Sequence, residues 1–409
     1  MDTLRTSPDS RAPSRPGRRS IPTKGSTMSN RTLRSRLCAA LLAAPLAAIL
    51  AACGGSPGDV SVGSSTSSGS SKEVLASKAD INRLLKAPTA IPSLPALPST
   101  PPSGKTIVFL NQSNVPIVVT EGQGLKDAAQ AVGWNFTSID YDSSNPASLQ
   151  QALTSALTHH PAAVGLVGSS PTLYGTSVIN AYKAAKTPII ASAVNPVTPG
   201  ANGTVLGTLD NADLNAKLGG INAKWVISDS GGSGNVLLLH VTGFEPLNAY
   251  VKEFKSTMKT CSGCKVSEAD ATLTDVGAGN VSSIVVSKLR QDPNIRYVVY
   301  DEGDWAGGIN SAMNAADIHN VKIAGEDPGT VQLGALAARQ QNAWAAHSAK
   351  LSGYFIMDQA LRSVAGVTPQ PNAGNVPIQV LTPDNIAGRT DFEDPTNALD
   401  QFKKLWKVN

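Results

Sequence analysis

The stretch Arg296-Tyr-Val-Val-Tyr-Asp-Glu-Gly-Asp-Trp-Ala-Gly-Gly-Ile-Asn-Ser-Ala-Met313 decides the fold. Arg296 to Tyr300 is β-branched and aromatic, an apolar run of the length of one buried strand. Asp301-Glu-Gly-Asp304 breaks the run. From Trp305 to Ala315 apolar residues return at helical spacing, with Asp304 placed as an N-cap. Strand, acidic loop and helix in that order set carboxylates and an indole beyond the carboxyl end of a strand. In an open α/β sheet, ligands bind there.

The same alternation extends outward from this stretch. Strands are expected over 105–111, 136–142, 162–168, 188–193 and 204–210, separated by helices over 122–133, 147–159 and 172–186. A helix over 212–228 ends in the turn-forming run Asp229-Ser-Gly-Gly-Ser-Gly234, and a second series begins. It has strands over 235–241, 265–272, 296–300, 321–325 and 376–381, with helices over 245–258 and 281–291, one after Trp305, a long one within 344–365 and a terminal one over 394–406. Strands alternating with helical patterns mean βαβ units and parallel sheets. The fold class is therefore α/β, with two successive lobes of about 100–130 residues and a cleft between them. The first lobe is expected over 105–210 with 383–409 returning to it, the second over 211–382.

At 409 residues the chain exceeds one comfortable core. Its net charge of +4 is misleading: residues 1–52 hold nine Lys/Arg and two Asp/Glu, leaving 25 basic and 28 acidic residues beyond them. No basic patch with interleaved aromatics appears, which argues against nucleic-acid binding.

Arg31, Arg34 and Arg36 precede an apolar run from Leu37 to Ala52, broken by Cys38 and Pro45. A basic segment before such a run reads as a signal peptide, too short and Ala-rich for a comfortable membrane span. Met28 opens a signal of ordinary length, and residues 1–27 read as an extension ahead of it. The run ends Leu50-Ala51-Ala52-Cys53-Gly54-Gly55, which resembles the bacterial lipobox. That resemblance implies cleavage before Cys53, a diacylglyceryl group on its thiol and anchorage at the outer face of the cell membrane. Residues 53–104 are Ser/Gly-rich and then Pro-rich, with one amphipathic stretch over 72–86, and read as a tether unable to bury enough apolar surface to fold. About 50 flexible residues span roughly 40 Å root-mean-square.

Cys261-Ser-Gly-Cys264 lies between a helix end and a strand. In an exported protein a disulfide is expected there; a redox motif would place its first Cys at a helix N-terminus. No second Cys/His pair is spaced for zinc, and His240, His319 and His347 have no carboxylate at metal spacing. His159-His160 ends a helix, where imidazolium suits the dipole. Asp229-Ser230-Gly231-Gly232, preceded by His160 and Asp210, resembles the nucleophile loop of trypsin-like proteases, but those are antiparallel β-barrels and this chain has long helices between strands. No Gly-x-Ser-x-Gly elbow, Walker loop or dinucleotide-binding glycine motif follows a strand. No enzyme activity, metal or cofactor is expected.

Lipobox, tether and two α/β halves together resemble the substrate-binding lipoproteins of ABC importers, in the sugar-binding type I group with ribose- and xylose-binding proteins. Asp301 to Gly308 is similar to that family's Asn-Asp-x-x-Ala-x-Gly loop, with Asp301 or Glu302 in the place of the ligand-binding acid. Ile323-Ala-Gly-Glu-Asp327 resembles its Gly-Phe-Asp strand end, Leu381-Thr-Pro-Asp-Asn-Ile386 its closing hinge segment, and Gln340 to Trp344 the region of its ligand-binding Gln. The resemblance implies two Rossmann-like lobes that close on a hinge around a small molecule, a sugar or polyol, and deliver it to a membrane permease, the receptor acting as a monomer. Three sugar-clamping features are missing: Asn114-Val-Pro-Ile-Val118 carries no aromatic, Ala193-Val194-Asn195 lacks an Asp-Arg pair, and Asn248 stands where an Arg is usual. Trp305 and Trp344 offer aromatic faces from the other half.

The candidate ligand-binding residues are therefore Gln112, Asn114, Ser169, Asn195, Asn248, Asp301, Asp304, Trp305, Glu326, Asp327, Gln340 and Trp344. Each also has an ordinary structural role open to it: Ser169 and Ser170 as N-caps before Pro171, Asp327 as a cap, Trp305 as core. A ligand sensor for a membrane signalling partner uses the same fold, and a secreted hydrolase would use acid pairs such as Asp301/Asp304.

Overall fold

The structure, a computed structural model, describes residues 68–113, 115–197, 203–370, 375–386 and 388–409. The signal run, Cys53 and Asn114 lie outside the described residues. All of those described fall in one unit, Ser64–Asn409.

Apolar periodicity and start signals build the first lobe. After α1 (Ser68–Leu84) come β1 (Thr106–Gln112), α2 (Pro116–Ala131), β2 (Asn135–Tyr141), α3 (Pro146–Leu157), β3 (Ala163–Val167), α4 (Thr176–Ala185), β4 (Ile189–Ser192) and β5 (Val205–Gly207). Pro116 and Pro146 open α2 and α3 at the first helical position, where the missing N–H costs nothing. Every residue of β3 and β4 is buried, as expected of parallel strands covered on both faces. The sheet is all parallel in the order β2-β1-β3-β4-β5.

The second lobe repeats the plan with α5 (Ala212–Asp229), β6 (Asn235–Thr242), α6 (Leu247–Met258), β7 (Lys265–Thr272), α7 (Leu273–Gly277), α8 (Val281–Gln291), β8 (Tyr297–Tyr300), α9 (Ile309–Ala315), β9 (Lys322–Glu326), α10 (Thr330–Ala337) and β10 (Ala343–Ala346). Then follow α11 (Ala349–Ala365), β11 (Gln379–Leu381) and α12 (Ala398–Trp406). The sheet order is β11-β10-β9-β8-β6-β7, parallel except for β11, which runs antiparallel to β10. Cys261 and Cys264 are disulfide-bonded in the turn between α6 and β7.

Three expectations change. The strand β10, Ala-Trp-Ala-Ala, is alanine-rich and was expected to begin a helix; pairing between β9 and β11 overrides that propensity. The long helix α11, expected with the second lobe over 211–382, packs on α2 and β4 of the first. Two glycines permit the α2–α11 crossing: a Cβ on Gly353 would sit 2.2 Å from Leu125 N, and one on Gly124 2.4 Å from Lys350 O. The chain therefore passes between lobes repeatedly: before α5, between β10 and α11, and on either side of β11.

The third change concerns the tether. From Ser68 onward it is folded. Helix α1 lies on α5, with Lys224 Nζ 2.7 Å from Asp80 Oδ2. Ile81, Leu94 and Leu97 are buried in the main core. Leu97 N donates to Leu405 O (2.8 Å), Arg362 to Pro95 O (2.7 Å) and Trp134 Nε1 to Pro102 O (2.8 Å). The sparse apolar residues of this strap find partners on helices far away in sequence, which composition alone does not show.

Candidate functional site

Both sheets share the order second-first-third-fourth-fifth strand, so each has its reversal point at the first strand: between β1 and β3 in one lobe, between β6 and β8 in the other. Loops at the carboxyl ends of such strands form a crevice. Here the two crevices face each other across a partly open cavity of about 80 Å³. The first lobe brings Gln112 and Gly168 from the ends of β1 and β3, Val115, Ile117, Val118 and Glu121 from the start of α2, and Ala193 from the end of β4. The second brings Phe244 and Leu247 from beyond β6, Glu302 and Trp305 from beyond β8, and Asp327 from beyond β9. Asp210 and His347 come from two of the connections between lobes.

One wall is apolar: Phe244 and Trp305 stack with centroids 5.9 Å apart, beside Val115, Ile117, Val118, Val167 and Leu247. The polar remainder is four carboxyls, the amides of Gln112 and Asn215 and the imidazole of His347, and among the described residues no Lys or Arg lines the cavity. His347 sits between two carboxylates, Nδ1 2.8 Å from Asp327 Oδ1 and Nε2 3.8 Å from Asp210 Oδ2. Burial disfavours its charge, but Asp327 and Asp210 outweigh burial and hold His347 well above the ordinary imidazole value. Burial likewise pushes Asp210 up, yet His347, Ser352 and Ser192 pull it below its ordinary value. Glu121 and Glu302 are raised well above the ordinary carboxylate range by burial first, then by Asp210 and by Asp327 respectively. Asp327 (φ 45°) and Ala193 (φ 48°) adopt left-handed backbone at the cavity, a conformation that clusters at functional sites.

The lobes also touch directly. Ile117 N, at the start of α2, donates to Asp304 Oδ2 (3.2 Å). Glu245 Oε2 accepts from Asn195 Nδ2 (3.0 Å) and Ser170 Oγ (3.2 Å). Each bond joins a group of one lobe to a group of the other.

Of the expected residues, Gln112, Trp305 and Asp327 line the cavity. Ser169 and Asn195 line a hollow beside it, and Ser169 Oγ is held by the Tyr141 hydroxyl at 2.7 Å. Asp304 bridges the lobes and is no N-cap: a 3-10 turn, Gly303–Ala306, intervenes before α9. Asn248 is exposed, beside His240 and away from the cavity.

Asp301 is a correction. It is fully buried behind the cavity, with Oδ2 2.5 Å from His240 Nδ1 and accepting from Val241 N (3.2 Å), so it ties the ends of β6 and β8 together. Burial pushes its carboxyl up to about 6, against the opposing effect of His240. Trp344 is a second: it is fully buried core, its ring against Gly325 and its Nε1 donating to Gln341 Oε1 (3.0 Å). Gln340 is exposed away from the cavity, accepting only through its backbone from Asn310. Glu326 is fully buried and does not line the cavity; neither of its carboxyl oxygens has a hydrogen-bond partner.

Sequence reasoning missed Glu121, Asp210, Phe244 and His347. Glu121 was legible, since it falls on the buried face of α2 one turn after Val118 and one before Leu125, where an apolar residue belongs. The others lie on connections, where periodicity carries no signal.

The profile of the periplasmic binding protein domain family matches residues 107–367. No curated protein matches the chain. Among solved structures, the 5-methylthioribose transporter solute binding protein from Thermotoga lettingae, in complex with 5-methylthioribose, is 17% identical with a TM-score of 0.62, covering 76% of this chain and 100% of that one. An ABC transporter solute binding protein from Burkholderia graminis, in complex with D-arabinose, is 18% identical with a TM-score of 0.60, covering 71% and 99%. Another from Bacillus halodurans, with bound myo-inositol, is 17% identical with a TM-score of 0.56, covering 70% and 96%. At these identities the likeness is one of fold, whereas the family profile spans well over half of the chain. The chain belongs to the periplasmic binding protein domain family.

Proposed function

We propose that this protein is the extracytoplasmic solute receptor of an ABC importer. It binds a small polar solute of the sugar or polyol class between its lobes and presents the closed form to a membrane permease. A lipid on Cys53 holds it at the outer face of the cell membrane. The observation that carries the reading is the cavity at two facing reversal points, lined by both lobes. A ligand touching both lobes favours the closed arrangement by its differential affinity. A micromolar solute needs about 8 kcal/mol of binding free energy. Since one net hydrogen bond contributes roughly 0.5–1.5 kcal/mol, several groups must converge, as they do here. The solutes bound by the similar structures support the sugar or polyol class.

The test is a thermal-shift screen of sugars and polyols on the purified protein, with mass spectrometry of the mixture. A ligand is expected to raise the melting midpoint by several degrees and to be recovered unchanged, and Trp305→Ala is expected to abolish the shift. Consumption of the ligand would instead establish an enzyme.

A further inference from the structure

The polar groups facing the cavity are mismatched to a neutral sugar. Glu121, Asp210, Glu302 and Asp327 present four carboxyls to it, against the imidazole of His347 and the two amides of Gln112 and Asn215. A hydroxyl brings one donor and two acceptors, whereas an ammonium brings three donors, a charge and no acceptor. The unused valences point the same way. Glu121 is 4% exposed and its Oε2 has no hydrogen-bond partner, and Gln112, 1% exposed, leaves Oε1 unpartnered while its Nε2 is committed to Val167 O (2.5 Å). The indole Nε1 of Trp305, also buried, is likewise without a partner, which leaves a place for an acceptor oxygen on the ligand. No group of three or more His, Cys, Asp or Glu among the described residues is arranged to hold a metal ion, so the surplus of acceptors is not a metal cage.

From this we infer that the solute is a small hydroxylated amine, an aminated sugar or polyol. Its ammonium is held by Glu121 of α2 and Glu302 beyond β8, its hydroxyl oxygen accepts from Trp305 Nε1, and its carbon face lies on the apolar wall. Each lobe supplies one of the two carboxylates, so the cation itself draws the lobes together. Burial, with Asp210 acting on Glu121 and Asp327 on Glu302, disfavours the charge on both carboxyls, and an ammonium held between them offsets that cost. The inference rests on the receptor reading and narrows it.

Matched pairs differing in the amine test it: glucosamine against glucose, 1-amino-1-deoxysorbitol against sorbitol, and serinol against glycerol, each titrated calorimetrically into the purified protein. At least one amine is expected to bind on the order of 100-fold more tightly than its neutral mate, the size of effect seen when a buried charge loses its partner. N-acetylation of that amine is expected to abolish the gain. Glu121→Gln and, independently, Glu302→Gln are expected to weaken the amine about tenfold or more and to shrink the amine-over-neutral preference, an undiminished preference in both variants overturning the inference. Neutral members binding as tightly as their amines would overturn the inference and leave the receptor reading standing. Binding by no member of either series would overturn both. A rise in melting midpoint with magnesium or calcium chloride alone would overturn the inference in favour of a metal.

Discussion

His347 shows how one side chain ties the site to the fold. Its imidazolium neutralises Asp327 and Asp210, which arrive from different elements, and all three are buried. Removing the cation strands two carboxylates in a low-dielectric site. His347→Gln is therefore expected to cost about 3–5 kcal/mol in urea denaturation. The same residues set a pH dependence. His347, Glu121, Glu302 and Glu326 all have folded values raised above their ordinary ones, and Asp301 is raised to about 6. A group with a raised folded value contributes stability below its unfolded value and loses it as pH rises through the folded one. Near neutrality the folded chain thus holds more protons than the unfolded chain, and stability falls as pH rises. The ligand-free melting midpoint is expected to climb from about pH 8 to about pH 5.5, and Glu121→Gln to flatten part of that slope. A midpoint that climbs toward alkaline pH would contradict the assignment.

Helix α2 carries the argument at the scale of an element. Its N-cap, Val115, has no side chain able to cap, and the orphan N–H of Ile117 is satisfied instead by Asp304 from the facing lobe. A carboxylate at a helix N-terminus is also favoured by the macrodipole. The closed arrangement thus completes a cap that the helix lacks alone. Asp304→Ala is expected to weaken ligand binding about tenfold in titration calorimetry, the lower end for a hydrogen bond to a charged group. The other end of the same story is the α2–α11 crossing, where backbone meets backbone at Gly124 and Gly353. Gly353→Ala puts a methyl where no atom fits, and a loss of roughly 3 kcal/mol is expected in the urea midpoint.

For the whole molecule, the strap from Ser68 to Gly104 matters most. It lies on α5 of the second lobe and then reaches α11, α12 and the loop before Trp134. Leu85 O accepts from Gln379 and Asn385, on and just after the returning strand β11. The strap therefore braces both lobes on the side of their connections. Leu97, 1% exposed, is its deepest anchor. Leu97→Ala is expected to cost about 2–5 kcal/mol by urea denaturation, where a free tether would lose nothing measurable.

Apolar patterning along strands and helices, with turn residues between, determined that this chain is α/β, that its strands are mostly parallel and that two lobes follow one another. The acidic loop after β8 and the indole of Trp305 were legible for the same reason, since a strand end in a parallel sheet is a site by construction. Trp344, by contrast, looked like a ligand face because exposure is a property of packing, and it is buried on β10 between β9 and β11. Asp301 had a partner 61 residues away in His240, which no local pattern can reveal. The strap, the return of α11 to the first lobe and the meeting of Glu121, Asp210, Asp327 and His347 were decided by tertiary structure alone. Sequence spacing sets which face of an element a residue occupies; only the packing of those elements sets which distant faces share a cavity, and so which charges must answer one another.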